Sequence, residues 1–378
     1  MTFLQFMALL LVIIVVATYA YRRGKASTGR TASAPPASKP GESGAQSRGP
    51  AVAPPVSSGG RAPDPTVIAR RTTPTVAPPA ATREAGAPQR NTPGKPRVAS
   101  WGYQLQNLDI ARAAASPFDL LVIDYAKDGS DDTALKPAEL ARLQQKPDGS
   151  RRLVLAYLSI GEAESYRSYW NNRWTRDKPG WLLAENPEWK ENYAVCFWDP
   201  AWQGIMCGGP QSRLDLILAA GFDGVYLDKC DVFEDLERHH KREHRSRPNI
   251  QGDMVAFVQR IASHAKSRKP DFLVVMQNAE VLLEDANLRG AIDGVAKEEL
   301  LYGVDAPEKK NGGDDVDWSR ERLDLVKRDG KMVLVVEYLQ NQSKIQDAAR
   351  VLSEFGYVLY IAPKDRELAR LNYESLQA

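Results

Sequence analysis

From Val98 onward the chain repeats one unit eight times, a short and continuously apolar run followed by a longer amphipathic stretch. The apolar runs fall at 98–103, 120–125, 153–159, 224–228, 272–277, 294–297, 332–338 and 357–361. Most are rich in β-branched residues and lack polar alternation, as strands buried on both faces require. The intervening stretches, 108–115, 137–145, 212–220, 253–266, 281–288, 319–328, 345–355 and 365–371, carry helical spacing. Pro137 suits a first helical turn, and Gly221 and Gly356 stand where a left-handed residue ends a helix. Eight strand-then-helix units predict an α/β fold, a (β/α)8 TIM barrel over 98–378. An open doubly wound sheet is the alternative, but no GxGxxG or GxxxxGK[ST] follows any run, so its nucleotide-binding forms lack support.

The texture before Val98 is different. Residues 3–20, FLQFMALLLVIIVVATYA, form an uncharged run just long enough to span a bilayer core as a helix. The sequence therefore predicts an N-terminal apolar helix, 1–20, serving as a transmembrane anchor or uncleaved signal. Residues 21–97 hold 14 of the 25 prolines and are otherwise dominated by Ala, Ser, Thr and Gly. They read as a disordered Pro/Ala/Ser-rich linker, unable to bury enough apolar surface to offset chain entropy. The cluster Arg22-Arg23-Gly24-Lys25 favours a cytoplasmic bulk by the positive-inside rule, so the side of the membrane is left open by the sequence.

Net charge averages two unlike regions. The linker holds 13 Lys/Arg and three acids, which leaves a formal −8 from residue 98 onward although the whole chain is +2. That sign argues against nucleic acid as a partner of the globular part. Three cysteines are too few for a disulfide scaffold; Cys196 and Cys207 form a candidate pair, with Cys230 left over. His239, His240 and His244 lie near Cys230 in sequence but follow no metal-binding spacing, and no metal or other cofactor is expected.

Barrel enzymes carry their active site at the C-terminal strand ends. Here those ends supply Asp124 and Tyr125; Tyr157, Ser159 and Glu162; Asp228 and Asp231; Gln277, Asn278 and Glu280; Lys297, Glu298 and Glu299; and Glu337 and Tyr338. Carboxylates after so many buried strands repel one another and cost stability, which favours a functional reason for them. All four histidines lie on the connection after the fourth run, so Ser-His-Asp or Cys-His catalysis has little support. Paired carboxylates surrounded by Asn, Lys and Tyr suit glycosyl transfer, in which one acid protonates the leaving oxygen while the other attacks the anomeric carbon or activates water. The connection 161–211 adds many Trp and Tyr residues, which serve either as a sugar platform or as that loop's own core.

The runs GYQLQ (102–106), LVIDY (121–125), LAYLSIGEAESYRSYW (155–170), FWDPAWQ (197–203), GFDGVYLDKCD (221–231), QNAE (277–280), DGVAKEELLYG (293–303) and VVEYL (335–339) resemble glycoside hydrolase family 114 and its relatives. These include the endo-α-1,4-polygalactosaminidases and barrel proteins once labelled cysteinyl-tRNA synthetase-like. The resemblance implies a TIM barrel that cleaves α-linked, galactosamine-containing exopolysaccharide through two carboxylates, with retention. It implies Asp228 as nucleophile and Glu298 as general acid/base, with Asp124, Tyr125, Tyr157, Glu162, Asn278, Glu337 and Tyr338 positioning substrate. This chain has Lys297 before Glu298 where characterised members often have Asn. Such a substrate places the domain on the periplasmic or extracellular face, with the polysaccharide and the membrane as partners and a monomer expected. The alternatives are a non-hydrolytic carbohydrate-binding or wall-associated barrel and, less favoured, a deacetylase or metal-dependent hydrolase.

Overall fold

The computed structural model describes residues 98–373 other than Ser246. Eleven strands occur among them: β1 (Trp101–Gln104), β2 (Leu120–Ile123), β3 (Leu153–Ser159), β4 (Glu162–Glu164), β5 (Leu182–Glu185), β6 (Asn192–Val195), β7 (Gly224–Asp228), β8 (Leu273–Gln277), β9 (Gly294–Glu298), β10 (Met332–Tyr338) and β11 (Val358–Ala362). Eight of them form one parallel sheet in the order β1-β2-β3-β7-β8-β9-β10-β11. These are the eight runs of the sequence, in sequence order.

The seam between β1 and β11 carries no strand ladder. Side chains bridge it instead: Trp101 Nε1 donates to the Val358 carbonyl at 3.0 Å, and the Tyr360 hydroxyl donates to the Tyr103 carbonyl at 3.4 Å. The sheet is thus a nearly closed barrel. Its interior is aromatic, with Trp101 5.9 Å from Tyr103 and Tyr103 5.1 Å from Tyr226 between ring centres. These contacts identify the inward side chains, and the register extends the assignment to the other strands. Tyr103 pairs with Val122, Tyr157 with Tyr226, Tyr226 with Val275, and Val336 with Glu298.

Helices cover the outside. Arg213–Ala220 is capped by the Ser212 side chain and ends at Gly221, with φ +98°; Gln342–Phe355 is capped by Asn341 and ends at Gly356, with φ +70°. Both glycines therefore hold the left-handed position their spacing predicted. The expected helix at 281–288 is split into a 3-10 turn, Glu280–Glu284, and a short helix, Ala286–Ala291, divided by Asp285, which caps the second piece.

The helix predicted at 365–371 is absent, because tertiary bonding claims its backbone. The Leu368 carbonyl accepts from the amides of Leu105 and Gln106, and the Ala369 carbonyl accepts from Gln104 Nε2. Leu368 and Leu371 are buried, and the Asn372 amide donates to the Tyr360 hydroxyl. An irregular strap thus lies along the β1–β11 seam where an eighth helix would stand.

The connection after β3 folds into a three-stranded antiparallel sheet in the order β4-β6-β5. Its aromatics pack mostly on one another: Trp181 lies 5.0 Å from Trp174 and 5.2 Å from Trp202, and Trp170 lies 4.8 Å from Tyr193. Trp202 is fully buried and donates through Nε1 to the Ile160 carbonyl.

No helix among the described residues is long and apolar enough to cross a membrane. This corrects the expectation of an anchoring apolar helix, of a membrane partner and of a membrane-anchored location. That expectation rested on residues 1–20, which, like the linker at 21–97, lie outside the described residues.

Candidate active site

Two carboxylates stand at inward positions on strands separated only by β8. Asp228 ends β7 and Glu298 ends β9, and each is gripped by a tyrosine from the strand on its far side. The Tyr157 hydroxyl, from β3, donates to Asp228 Oδ2 at 2.6 Å. The Tyr338 hydroxyl, from β10, donates to Glu298 Oε1 at 2.5 Å. Between them Asn278, just past β8, accepts from the Glu298 amide through Oδ1 at 3.1 Å and approaches Glu298 Oε2 with its Nδ2 at 3.4 Å. Both acids and Asn278 keep some exposure to solvent.

The backbone turns sharply after these strands. Lys229, Asn278 and Glu299 all have left-handed φ, at 59°, 54° and 53°. Non-glycine residues pay for that conformation, and such strain clusters at functional sites. At Lys229 the turn brings the residue's own amide to Asp228 Oδ1, 2.7 Å away.

The two charges act on each other. Burial raises Asp228 to about 6; the Lys229 ammonium opposes this, the Glu298 carboxylate adds to it, and the Tyr157 hydrogen bond again favours ionisation. The buried phenols below sense both acids. Burial first, and then the charges of Glu298 and Asp228, hold Tyr226 well above the ordinary phenol value. Tyr103 is raised by burial, by Tyr226 and by the same two carboxylates. Both phenols therefore stay neutral, each beneath the two carboxylates. The Tyr226 hydroxyl has no hydrogen-bond partner among the described residues.

The remaining predicted residues divide by direction. Asp124 is buried at the end of β2 and held by Arg167, whose Nη1 and Nη2 donate to its two oxygens at 2.8 and 2.7 Å. Glu162, also buried, pairs with Lys229 at 3.1 Å and accepts from Asn186 at 2.8 Å. Both lie on the β2–β3 side with their charges compensated. Tyr125 and Glu337 turn outward. Tyr125 packs under the Arg213 guanidinium, 5.0 Å from its ring centre. Glu337 has no exposure; it accepts from the amides of Leu301 at 2.7 Å and Tyr302 at 3.3 Å, and burial pushes it up to about 8. The site thus gathers Asp228, Glu298, Tyr157, Asn278 and Tyr338, while Tyr125 and Glu337 brace the surrounding loops.

Arg366 escaped the sequence reading because it fell inside the helix expected at 365–371. It pairs with Glu299 and its guanidinium lies 5.1 Å from the Tyr338 ring centre. Lys297 faces outward to Glu280 at 3.2 Å. Lys297 also reaches Asn278 Oδ1 with its Nζ at 3.5 Å, whereas of the three consecutive charged residues Glu298 alone accepts the Tyr338 hydroxyl. Asp231, noted beyond β7, is raised to about 7 by burial, with Lys229 opposing and Asp228 adding. Cys196, Cys207 and Cys230 are buried free thiols, so the candidate pair is not joined. Among the described residues no group of three His, Cys, Asp or Glu side chains is arranged to hold a metal ion.

A parallel barrel with tyrosine-held acids on neighbouring inward positions has the form of a glycoside hydrolase domain. The profile of glycoside-hydrolase family GH114 matches residues 80–374, and the chain belongs to that family. It is similar to an uncharacterized protein of Methanocaldococcus jannaschii, 38% identical over 72% of this chain and 78% of that protein. An uncharacterized protein of Deinococcus radiodurans is 35% identical over 75% of this chain and 87% of its own length. Among solved structures, the glycoside hydrolase domain of PelA from Pseudomonas aeruginosa covers 72% of this chain and 97% of that one at 20% identity, with a TM-score of 0.53. At that identity the likeness speaks for the fold.

Proposed function

We propose that this protein cleaves α-linked, galactosamine-containing polysaccharide by a retaining, two-carboxylate mechanism, with Asp228 as nucleophile and Glu298 as general acid/base. The observation that carries this reading is the acid pair itself, two carboxylates on β7 and β9 that bear on the same buried phenols and are each held by one tyrosine hydroxyl. The role split follows from their surroundings. Asp228 receives two hydrogen bonds and adjoins the Lys229 ammonium, so above about pH 6 it is an oriented carboxylate. Glu298 adjoins the Asn278 amide and the Tyr338 hydroxyl, which aim it for proton transfer to the leaving oxygen. Tyr157 and Asn278 then position these acids, and the glycosyl-enzyme forms on Asp228 before water releases it.

The substrate class rests on charge and on family membership. The chain from residue 98 is formally −8. A partly deacetylated galactosamine polymer is cationic and gains from such a field over roughly the 8 Å screening length of physiological salt.

The test is digestion of a panel of galactosamine- and galactose-containing polymers, with mass analysis of the products and the anomeric configuration read by NMR. Asp228→Asn and Glu298→Gln should each lower turnover by orders of magnitude while the folded spectrum persists. Unchanged activity in either variant removes that residue from the mechanism. Binding without new reducing ends would favour a carbohydrate-binding protein instead.

A further inference from the structure

Three large apolar side chains are prominently exposed among the described residues: Tyr166, Trp189 and Trp318. Trp318 stands on the outer helix Gly313–Arg328 beneath its own neighbour Arg322, 4.1 Å from the ring centre, and Trp189 lies in the turn between β5 and β6. Tyr166 differs because a buried charged network at the barrel mouth fixes it.

Arg167 joins two strand ends. It donates to both oxygens of Asp124, beyond β2, and its Nε donates to Glu164 Oε2 on β4 at 2.8 Å. All three side chains are almost fully buried. Glu164 Oε1 in turn accepts the Tyr166 hydroxyl at 2.6 Å. The Arg167 guanidinium lies 5.0 Å from the Tyr166 ring centre, and Gly129, at φ +85°, lies so close that a Cβ there would stand 3.1 Å from the ring. The ring is thereby locked at its hydroxyl and along its inner side, yet 39% of the residue remains exposed. Its network reaches the strand end that serves the acid pair: Ile123, just before Asp124, pairs with Ala156, just before Tyr157, and Tyr157 donates to Asp228. Besides burial, the Glu164 carboxylate that accepts the Tyr166 hydroxyl also helps hold the Tyr157 phenol above its ordinary value.

We propose that Tyr166 is a stacking platform for a pyranose ring of the substrate, one that adjoins the sugar attacked at Asp228, and that the Asp124–Arg167–Glu164 network exists to hold that platform. An aromatic face with few free rotors gives a sugar's C–H face a large contact at low entropic cost, whereas a mobile tyrosine would first have to be ordered. The network also gives the buried Asp124 a place at the site without direct contact to the reacting bond. This inference rests on the carbohydrate-cleaving reading, and the test separates the two.

Full-length wild type, Tyr166→Ala, Tyr166→Phe and Tyr166→Trp are compared on α-1,4-galactosamine oligosaccharides, partly deacetylated, from two to six sugars long. Tyr166→Ala should raise KM about tenfold on the longer oligosaccharides, the size of one stacked ring, with kcat within about twofold. The disaccharide should show little change, and the Phe and Trp variants should recover most of the loss. Equal KM in Tyr166→Ala and wild type at every length, or a Phe variant as impaired as Ala, overturns the platform. Calorimetric titration with the six-sugar oligosaccharide covers the remaining case. If wild type binds without cleaving and Tyr166→Ala loses about tenfold in affinity, the platform stands and the hydrolase reading falls; if wild type neither binds nor cleaves, both fall.

Discussion

Replacing Tyr157 with Phe removes one hydroxyl and little else, and the geometry states what should follow. The hydroxyl donates to Asp228 Oδ2 at 2.6 Å and favours the ionised carboxylate against the burial that raises Asp228 to about 6. A hydrogen bond to a charged group contributes about 1.5–3 kcal/mol, and one pKa unit corresponds to about 1.4 kcal/mol. Asp228 would keep the Lys229 amide at 2.7 Å and, being partly exposed, can recruit water, so the lower end applies. Its value should rise by about one unit, to about 7. A nucleophile must be ionised, so the acidic limb of the kcat/KM profile should move up by about one unit. The deficit should be roughly tenfold below pH 5, about threefold near pH 6.5 and small above pH 9. The assay is initial-rate kinetics across pH 4.5–9.5 on a galactosamine polymer. A limb that stays in place while activity falls equally at every pH would refute the assignment of that limb to Asp228 and of Tyr157 to its control.

Other consequences follow from buried charge. Arg167→Met strands Asp124 and Glu164, both buried, and should cost about 3–5 kcal/mol in denaturant unfolding, as breaking a buried ion pair does. Glu337→Gln should leave kcat/KM within about threefold, because Glu337 is fully buried against the Leu301 and Tyr302 amides and faces away from the acid pair. Asp228, Asp231 and Glu337 are raised to about 6, 7 and 8 from ordinary values of 3.8, 3.8 and 4.5. Above about pH 5, where the carboxylates lowered by their partners are ionised in both states, the folded state therefore holds more protons than the unfolded chain up to about pH 8, and stability should fall as pH rises through that window. A denaturant midpoint no lower at pH 8.5 than at pH 5 would contradict those directions. Trp202→Ala, which empties a fully buried site on the helix Pro200–Met206 in the long connection between β3 and β7, should cost about 3–5 kcal/mol by the same unfolding assay.

The barrel was legible because strands buried on both sides leave a plain mark, a continuous apolar run bounded by glycine or proline. The 153–159, 224–228 and 332–338 runs coincide with β3, β7 and β10 to the residue. The strap after β11 was not legible. ELARL at 367–371 has helical spacing, but its carbonyls are taken by the amides of Leu105 and Gln106 and by Gln104, partners some 260 residues away in sequence. Local periodicity carries no information about such partners, and Arg366 was lost with it. The insertion's aromatics were half legible: the sequence posed sugar platform against private core, and burial assigns Trp181 and Trp202 to the core while leaving Tyr166 exposed.

The carboxylates show where a strand-end reading can be sharpened. Acids at barrel strand ends are equivalent candidates only if side-chain direction is ignored; consecutive strand residues point to opposite faces. Trp101, Tyr103, Tyr226 and Tyr360 touch one another inside the barrel, which sets the parity of their strands. Counting by twos from Tyr226 reaches Asp228, and the paired register carries the same side to Tyr157, Gln277, Glu298 and Tyr338. It excludes Lys297, which pairs with Glu280 and reaches only Asn278 Oδ1 at 3.5 Å, and Glu337, which is bonded by loop amides. Parity also admits Asp124, and there direction alone is not enough, because Arg167 has already satisfied both of its oxygens. A carboxylate is available for chemistry when it is both inward and not bonded directly to a cationic side chain. Asp228 and Glu298 meet both conditions with neutral tyrosine donors in place of a dedicated arginine, an arrangement that orients an acid while leaving its charge free to act on a substrate.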